Sequence, residues 1–238
     1  MIRHTEYEQN SVEWSLARSG IPTASEFDAL VTPKWAIRQG EMPKTYLAKK
    51  LAEKWQGGPL ASFMSFDMDQ GKTLEEEAIP WFAFEYDQPV ERVAFITNDD
   101  GRIGCSPDGM LTTKAGLNGG LEIKCPLPET QVKRLLNGVL PDDYAAQIQG
   151  SMFVTGLEWW QFLSYRRHFP AFLLRVERDE KAQAAIAQAL ADFLGEFDAC
   201  FKRLCEINGG PPLRKKQDPQ VPLEPADDLS YSKVDLQP

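Results

Sequence analysis

From Ala182 to Leu204, apolar residues recur at steps of one and three: Ala182, Ala185, Ile186, Ala189, Leu190, Phe193, Leu194, Phe197, Cys200, Phe201 and Leu204. On a helix this spacing lays down one continuous apolar stripe, so the segment predicts a long amphipathic helix. The amino-terminal part carries shorter helical patterns. Ser11 to Ser19 ends at Gly20, and Thr23-Ala24-Ser25-Glu26 has the S/T-x-x-E form of a capping box ahead of Phe27, Leu30 and Val31. A pattern starting at Pro43 puts Tyr46, Leu47, Leu51 and Trp55 on one face and stops at Gly57-Gly58. A longer helix is expected over Phe66 to Tyr86, kinked or split at Pro80.

The period then changes. Val90 to Thr97 reads as a strand, Asn98-Asp99-Asp100-Gly101 as a turn and Arg102 to Cys105 as a second strand. Met110 to Thr113 leads through a glycine-rich turn to a third strand, Leu121 to Lys124. Helices are expected at Pro128 to Asn137 and Asp142 to Thr155, then paired strands at Trp159 to Tyr165 and Phe172 to Glu177. One α/β domain is thus expected over 1–207. Beyond it, 208–238 is a Pro-rich tail without periodicity, expected to dock on its own or a neighbouring subunit rather than fold alone.

Composition narrows the class. The 238 residues hold 26 Lys and Arg against 35 Asp and Glu, a formal net charge of -9. This excludes a generally basic nucleic-acid coat protein, but not a DNA enzyme whose field is reversed locally by metal ions or a basic patch. No apolar run approaches the roughly 18 residues of a membrane span, and Met1 to Asn10 lacks the apolar core of a signal peptide. A cytoplasmic location without membrane contact is expected. Cys105, Cys125, Cys200 and Cys205 are too scattered for a secreted disulfide framework, and Cys125 reads as a small core filler. His4 and His168 read as surface residues. One ring of Trp159-Trp160 is expected in the core, the other free to pack at an interface. Arg166-Arg167 reads as a phosphate contact or a charged hairpin tip, and Arg214-Lys215-Lys216 as a solvated linker.

The chemistry concentrates in Ser106-Pro107-Asp108-Gly109 and in Glu122-Ile123-Lys124. Glu122 and Lys124 are two apart, so on a strand they share one face while Ile123 points into the core. Asp108 arrives from the neighbouring strand. Two carboxylates and an ammonium would then converge at one sheet edge, and a hard divalent ion such as Mg2+ or Mn2+ would satisfy the carboxylates. Glu75, from the preceding helix, is a candidate third carboxylate. Such a site suits phosphodiester hydrolysis, with Lys124 orienting or deprotonating a water, or offsetting negative charge. Spacing alone leaves the alternative open that Glu122 and Lys124 form a solvated strand face.

Ordered motifs add to this reading. Trp14 to Glu26 (WSLARSGIPTASE), Gly71-Lys72 with Glu75, CSPDG at Cys105 to Gly109, GLEIKCP at Gly120 to Pro126, YAAQIQGSMFVT at Tyr144 to Thr155 and VERDEK at Val176 to Lys181 occur in that order. In this ordered set the chain resembles the phage lambda exonuclease family, also called YqaJ-type viral recombinases or phage alkaline exonucleases. Residues from Pro33 to Met68 and beyond Asn208 match poorly.

The resemblance implies an α/β fold with a restriction-endonuclease-like PD-(D/E)xK core, a central mixed sheet flanked by helices. It implies a Mg2+-dependent enzyme, with Mn2+ a possible substitute, that digests double-stranded DNA from the 5′ end to mononucleotides. By the same resemblance Asp108, Glu122 and the main-chain carbonyl of Ile123 are metal ligands and Lys124 is the catalytic lysine, with Glu75 and Gln147 beside them. Gln149 is two residues beyond Gln147, on a different helix face. Arg18, Ser25 and Ser106 match a pocket for the 5′-phosphate of a DNA end, and Lys34 is loosely aligned to a basic residue near the DNA entrance. A homotrimeric ring around duplex DNA and a single-strand annealing protein as partner are also implied. The alternatives are a catalytically inactive DNA-end-binding module and a structure-specific endonuclease on the same fold.

Overall fold

The computed structural model describes residues 1–60, 66–116 and 118–211, side chains of 66–72 excepted. Residues 212–238, and with them the expected docking of the tail and the basic run at Arg214, lie outside the described residues.

β6 (Asn118–Lys124) is the middle of a five-stranded mixed sheet in the order β2 (Val90–Glu91), β5 (Gly109–Thr112), β6, β7 (Trp159–Ser164), β8 (Phe172–Glu177). β6 pairs antiparallel with β5 and parallel with β7, and β7 pairs antiparallel with β8. The parallel pair is made possible by the crossover of α4 (Pro128–Asn137) and α5 (Asp142–Thr155) between its strands. A smaller sheet joins β1 (Ile2–His4), β3 (Phe95–Thr97) and β4 (Gly104–Cys105).

Strand alternation sorts the large sheet into two faces. Leu121 and Ile123 of β6, with Trp159 and Leu163 of β7, pack beneath Leu74, Ala78 and Phe82 of α3 (Phe66–Glu85). On the other face Trp160 and Phe162 meet Ile148 and Met152 of α5. Both tryptophans are therefore core residues, 2 % and 0 % exposed, because β7 is covered on both sides; neither is left for an interface. Pro80 does not split α3, which runs through it as one helix.

A third cluster joins the amino-terminal segment to the same body. Ala24 and Phe27 of the 3-10 turn Ala24–Ala29, with Leu30 at its end, pack with Tyr46 and Leu47 of α2 (Glu41–Gln56), Ala146 of α5, and Ile186, Leu190 and Phe193 of α6 (Glu180–Asn208). α6 is the long helix expected from its stripe. The Asp179 carboxylate caps it by accepting from the N–H groups of Lys181 and Ala182.

Three local expectations are corrected. Val90 to Thr97 is not one strand: β2 and β3 belong to different sheets, with Arg92 to Ala94 between them. The capping box does not form, and the segment is 3-10 rather than α. Thr23 Oγ1 instead contacts Glu26 Oε2 at 3.3 Å, because the Glu26 carboxylate turns towards Lys49 and Lys50 of α2. His4 is half-buried, stacked on Phe95 at 5.8 Å in the unforeseen strand β1, whereas His168 is exposed as expected.

Gly120 shows how tight the sheet is on its α5 side. A Cβ there would lie 2.2 Å from the Trp160 ring, its partner across the parallel ladder. Gly120→Ala should therefore destabilise the fold by about 1–3 kcal/mol through overpacking. The denaturant midpoint checks this; an unchanged midpoint would show that the ring yields.

Candidate active site

On β6 the residues facing α5 are Gly120, Glu122 and Lys124. Glu122 is 2 % exposed. Its Oε1 accepts two charge-relevant hydrogen bonds, from Gln147 Nε2 of α5 at 2.5 Å and from Lys124 Nζ at 2.6 Å. Asp108 sits between β4 and β5. Its own N–H donates to the Leu121 carbonyl at 3.0 Å, and its Oδ2 accepts from the Ile123 N–H at 2.6 Å. Asp108 is thereby stitched to the two residues flanking Glu122. The expected pairing of faces holds: Ile123 lies in the core under α3 while Glu122 and Lys124 meet α5.

The electrostatics follow from this crowding. Burial, then the charge of Glu122, and further the charge of Glu75, push the Asp108 pKa well above the usual carboxylate range, against the pull of Lys124 and the Ile123 N–H. Burial works against the Lys124 charge, but Glu122 and Asp108 outweigh it and hold the ammonium pKa above its ordinary value. In this arrangement Lys124 is an ammonium held between two carboxylates, suited to orienting a group or offsetting negative charge. Glu75 acts on both Asp108 and Lys124, which places the third carboxylate within electrostatic reach.

These residues fit a hard divalent cation. Asp108 and Glu122 are oxygen donors whose mutual repulsion and burial raise the Asp108 pKa, and a hard divalent cation would relieve that repulsion. Among the described residues no group of three or more His, Cys, Asp or Glu side chains is arranged to hold a metal ion. Two carboxylates do not close a coordination sphere, which suits Mg2+, an ion that keeps several waters.

A second cluster forms around Trp14 of α1 (Val12–Arg18). The Arg18 guanidinium lies over the Trp14 ring, 4.1 Å from its centroid, and donates to Ser25 Oγ at 3.3 Å and Thr23 Oγ1 at 3.4 Å. Trp14 Nε1 donates to the Ala94 carbonyl at 2.9 Å and to Ser106 Oγ at 3.1 Å. Arg18, Ser25 and Ser106, distant in sequence, thus gather on one indole. A cavity of about 530 Å³ opens beside Arg18 and Ser25, lined also by Glu26, Lys49, Lys50 and Glu53. Lys50 is engaged by Glu26 at 2.9 Å and Glu53 at 3.1 Å, whereas Arg18 makes no ion pair among the described residues.

Other candidates fall elsewhere. Gln149 points away from the carboxylates: it donates to the Glu177 carbonyl at 2.9 Å and accepts from the Asp179 N–H at 3.0 Å, tying α5 to the start of α6. Lys34 is exposed, outside the Arg18 cluster. Arg167 pairs with Glu77, and Arg166 donates to the Pro126 carbonyl at 3.4 Å. The four cysteines are free, and burial raises the Cys125 thiol pKa to about 12, as befits a packing residue. Sequence reasoning assigned no site role to Trp14, Arg134 or Tyr144, and gave Thr23 only that of a helix cap. The i, i+4 spacing of Trp14 and Arg18 on a short helix was the available signal for the first.

Residues 13–158 match the YqaJ-like viral recombinase domain, more than half of the chain. The chain belongs to that family. No curated protein matches it. Among solved structures, it is similar to the alkaline exonuclease LHK-Exo from Laribacter hongkongensis, at 27 % identity and a TM-score of 0.73 over 84 % of this chain and 98 % of that one. The same enzyme in complex with dAMP gives 28 % identity and 0.74 over the same shares. A phage-related exonuclease from Haemophilus somnus 129PT, at 13 % identity and 0.56 over 77 % of this chain and 96 % of that one, shares the fold. The core is thus restriction-endonuclease-like, as the resemblance implied, and family membership supports a nuclease acting on DNA.

The raised Asp108 pKa carries a sign. A carboxyl that holds its proton more tightly folded than unfolded contributes stability below about pH 4, and that contribution is lost as pH rises through the folded value. Without divalent metal, the wild type should lose stability from pH 4 upward relative to Asp108→Asn, and added Mg2+ should restore stability to the wild type more than to the variant. Urea unfolding across pH 4–8, with EDTA or Mg2+, reads both effects; parallel pH curves would refute them.

Proposed function

We propose that this protein is a Mg2+-dependent 5′→3′ exonuclease that degrades double-stranded DNA from its ends to mononucleotides and leaves a 3′ single strand for recombination by annealing. The observation that carries this reading is the meeting of Gln147 and Lys124 on one oxygen of buried Glu122, with Asp108 locked beside it. Asp108, Glu122 and the Ile123 carbonyl would hold Mg2+, or Mn2+ in its place. When bound, the ion supplies an activated water and neutralises charge on the phosphodiester. Gln147 fixes the orientation of the Glu122 carboxylate. Lys124, held as an ammonium, stabilises negative charge in the transition state.

The Arg18 cluster supplies direction. A guanidinium without an ion-pair partner among the described residues, flanked by Ser25 and open to a cavity, is a receptor for the 5′-phosphate of a DNA end, with Ser106 placed by the same indole. Action from ends, a homotrimeric ring around duplex DNA and a single-strand annealing partner form one consistent scheme with this family.

Asp108→Ala and Glu122→Ala should abolish release of nucleotides from linear duplex in Mg2+ while the protein stays folded. Lys124→Ala should lose most single-turnover rate with DNA binding retained. Matched duplexes labelled at each 5′ or 3′ end, beside covalently closed circles, test polarity: early release of the 5′ label with intact circles is expected, and nicked circles would mean an endonuclease.

The wild type should favour a 5′-phosphorylated end over a 5′-hydroxyl end. A guanidinium–phosphate contact is worth roughly 1.5–3 kcal/mol, about ten- to a hundredfold. Arg18→Ala should narrow that preference, and Arg18→Lys should recover only part of it because the planar fork is lost. Equal slowing on both ends would make Arg18 a general contact instead.

A further inference from the structure

We propose that Tyr144 is a positioning residue for Lys124, and that Arg134 is the buried clamp that fixes Tyr144. The inference rests on the nuclease reading of the Lys124 site and extends it to residues that reading does not use.

Arg134 of α4 is 7 % exposed, and among the described residues it makes no ion pair. A buried guanidinium is costly unless its donors are used. Here Nη1 donates to Ser164 Oγ at 2.9 Å and Nη2 to the Tyr144 hydroxyl at 2.8 Å. Its carbon also lies 5.1 Å from the centroid of the Tyr144 ring and 5.7 Å from that of Phe162. The Ser164 hydroxyl is itself locked, donating to Gln131 Oε1 at 2.5 Å, while Gln131 Nε2 holds the Ser164 and Pro170 carbonyls at 3.2 and 2.8 Å. Gln131 and Ser164 are fully buried. This network therefore has little freedom, and its outlet is the Tyr144 side chain.

Tyr144 faces the reacting cluster. Its ring centroid is 5.3 Å from Lys124 Nζ, within cation–π range. Ser164 is the parallel-ladder partner of Lys124, so the clamp and the lysine are tied to one sheet position. Tyr144 and Gln147 are three apart on α5, on one helix face. One turn of α5 thus restrains Glu122 through Gln147 and Lys124 through Tyr144. Glu122 alone would let the lysine swing about its oxygen; the ring closes off that swing. Phe162, 5.3 Å from Tyr144 between ring centroids, limits the ring's own movement.

The test combines kinetics with a contact readout that does not depend on activity. In single turnover on 5′-phosphorylated linear duplex with Mg2+, Tyr144→Leu should lower the rate about ten- to a hundredfold with KM within about twofold. Tyr144→Phe keeps the ring without the clamp's acceptor and should lose only about two- to fivefold. In the Lys124→Ala background, Tyr144→Leu should cost little more, because its effect passes through the lysine. Separately, the Lys124 Hε resonances, assigned by their absence in Lys124→Ala, should be shifted upfield by the ring in wild type and Tyr144→Phe, and not in Tyr144→Leu. An equal Tyr144→Leu loss with and without Lys124, a KM effect alone, or no upfield shift would overturn the proposal. Full activity of Lys124→Ala would instead sink the nuclease reading of the lysine, and the ring contact would still be seen in the spectrum. Should Tyr144→Leu fail to fold, Tyr144→Phe and Tyr144→Trp in the same Lys124 cycle decide it, independent effects again overturning it.

Discussion

The structure turns on a carboxylate that is buried where a strand would ordinarily place an apolar residue. Glu122 lies on the α5 side of the central strand, next to a core of Trp160, Phe162, Ile148 and Met152. A charge there is tolerable only if its oxygens are occupied. Gln147 and Lys124 meet that demand, which fixes the rotation of α5 against the sheet and the direction of the lysine. Gly120, two residues earlier on the same face, lets the Trp160 ring lie close to the strand. Small residue, carboxylate and ammonium succeed one another along one face of β6, and each sets what α5 or β7 can place opposite it.

The same economy links the carboxylate site to the Arg18 cluster. Ser106 and Asp108 are separated only by Pro107, whose carbonyl accepts from Gln9 Nε2 at 2.7 Å. Ser106 accepts from the indole beneath Arg18, and Asp108 accepts from β6. One segment, pinned at three points, thus joins the Arg18 cluster to the carboxylates. On the proposed end-acting function, such a spacer would hold a terminal phosphate and a scissile phosphate at a fixed step.

Much of this was legible in the sequence because it depends on local periodicity. The α6 stripe, the period-two placement of Glu122 and Lys124 against Ile123, and the separation of Gln147 from Gln149 all follow from the pitch of a helix or a strand. What was not legible depends on long-range covering. Trp159 and Trp160 are both core because β7 is sandwiched, a fact of topology. Val90 to Thr97 splits because its ends pair with different sheets. Glu26 abandons its capping role because Lys49 and Lys50 arrive from α2. Helix α4 defies its pattern: Gln131 and Arg134 face inward while Leu136 is 80 % exposed, the inverse of an amphipathic surface helix. Polar residues on such a helix read as solvated, and only the structure shows that Ser164 and Tyr144 await them.

The cations divide according to their partners, and the division separates scaffold from receptor. Lys49, Lys50 and Lys124 are all held by carboxylates, so their charge is already spent within the fold. Arg18 and Arg134 are guanidiniums without an ion pair among the described residues. Arg134 is enclosed, and its donors are used by Ser164 and Tyr144, so its charge serves geometry. Arg18 stacks on Trp14, makes two long hydroxyl contacts and faces a cavity; burial lowers its pKa against the pull of Glu26 and Glu53, so its charge would gain from an incoming anion. On the proposed function, an acidic chain accepts a polyanion through local charge, a guanidinium without an ion pair among the described residues beside a cavity and a carboxylate pair suited to a divalent ion.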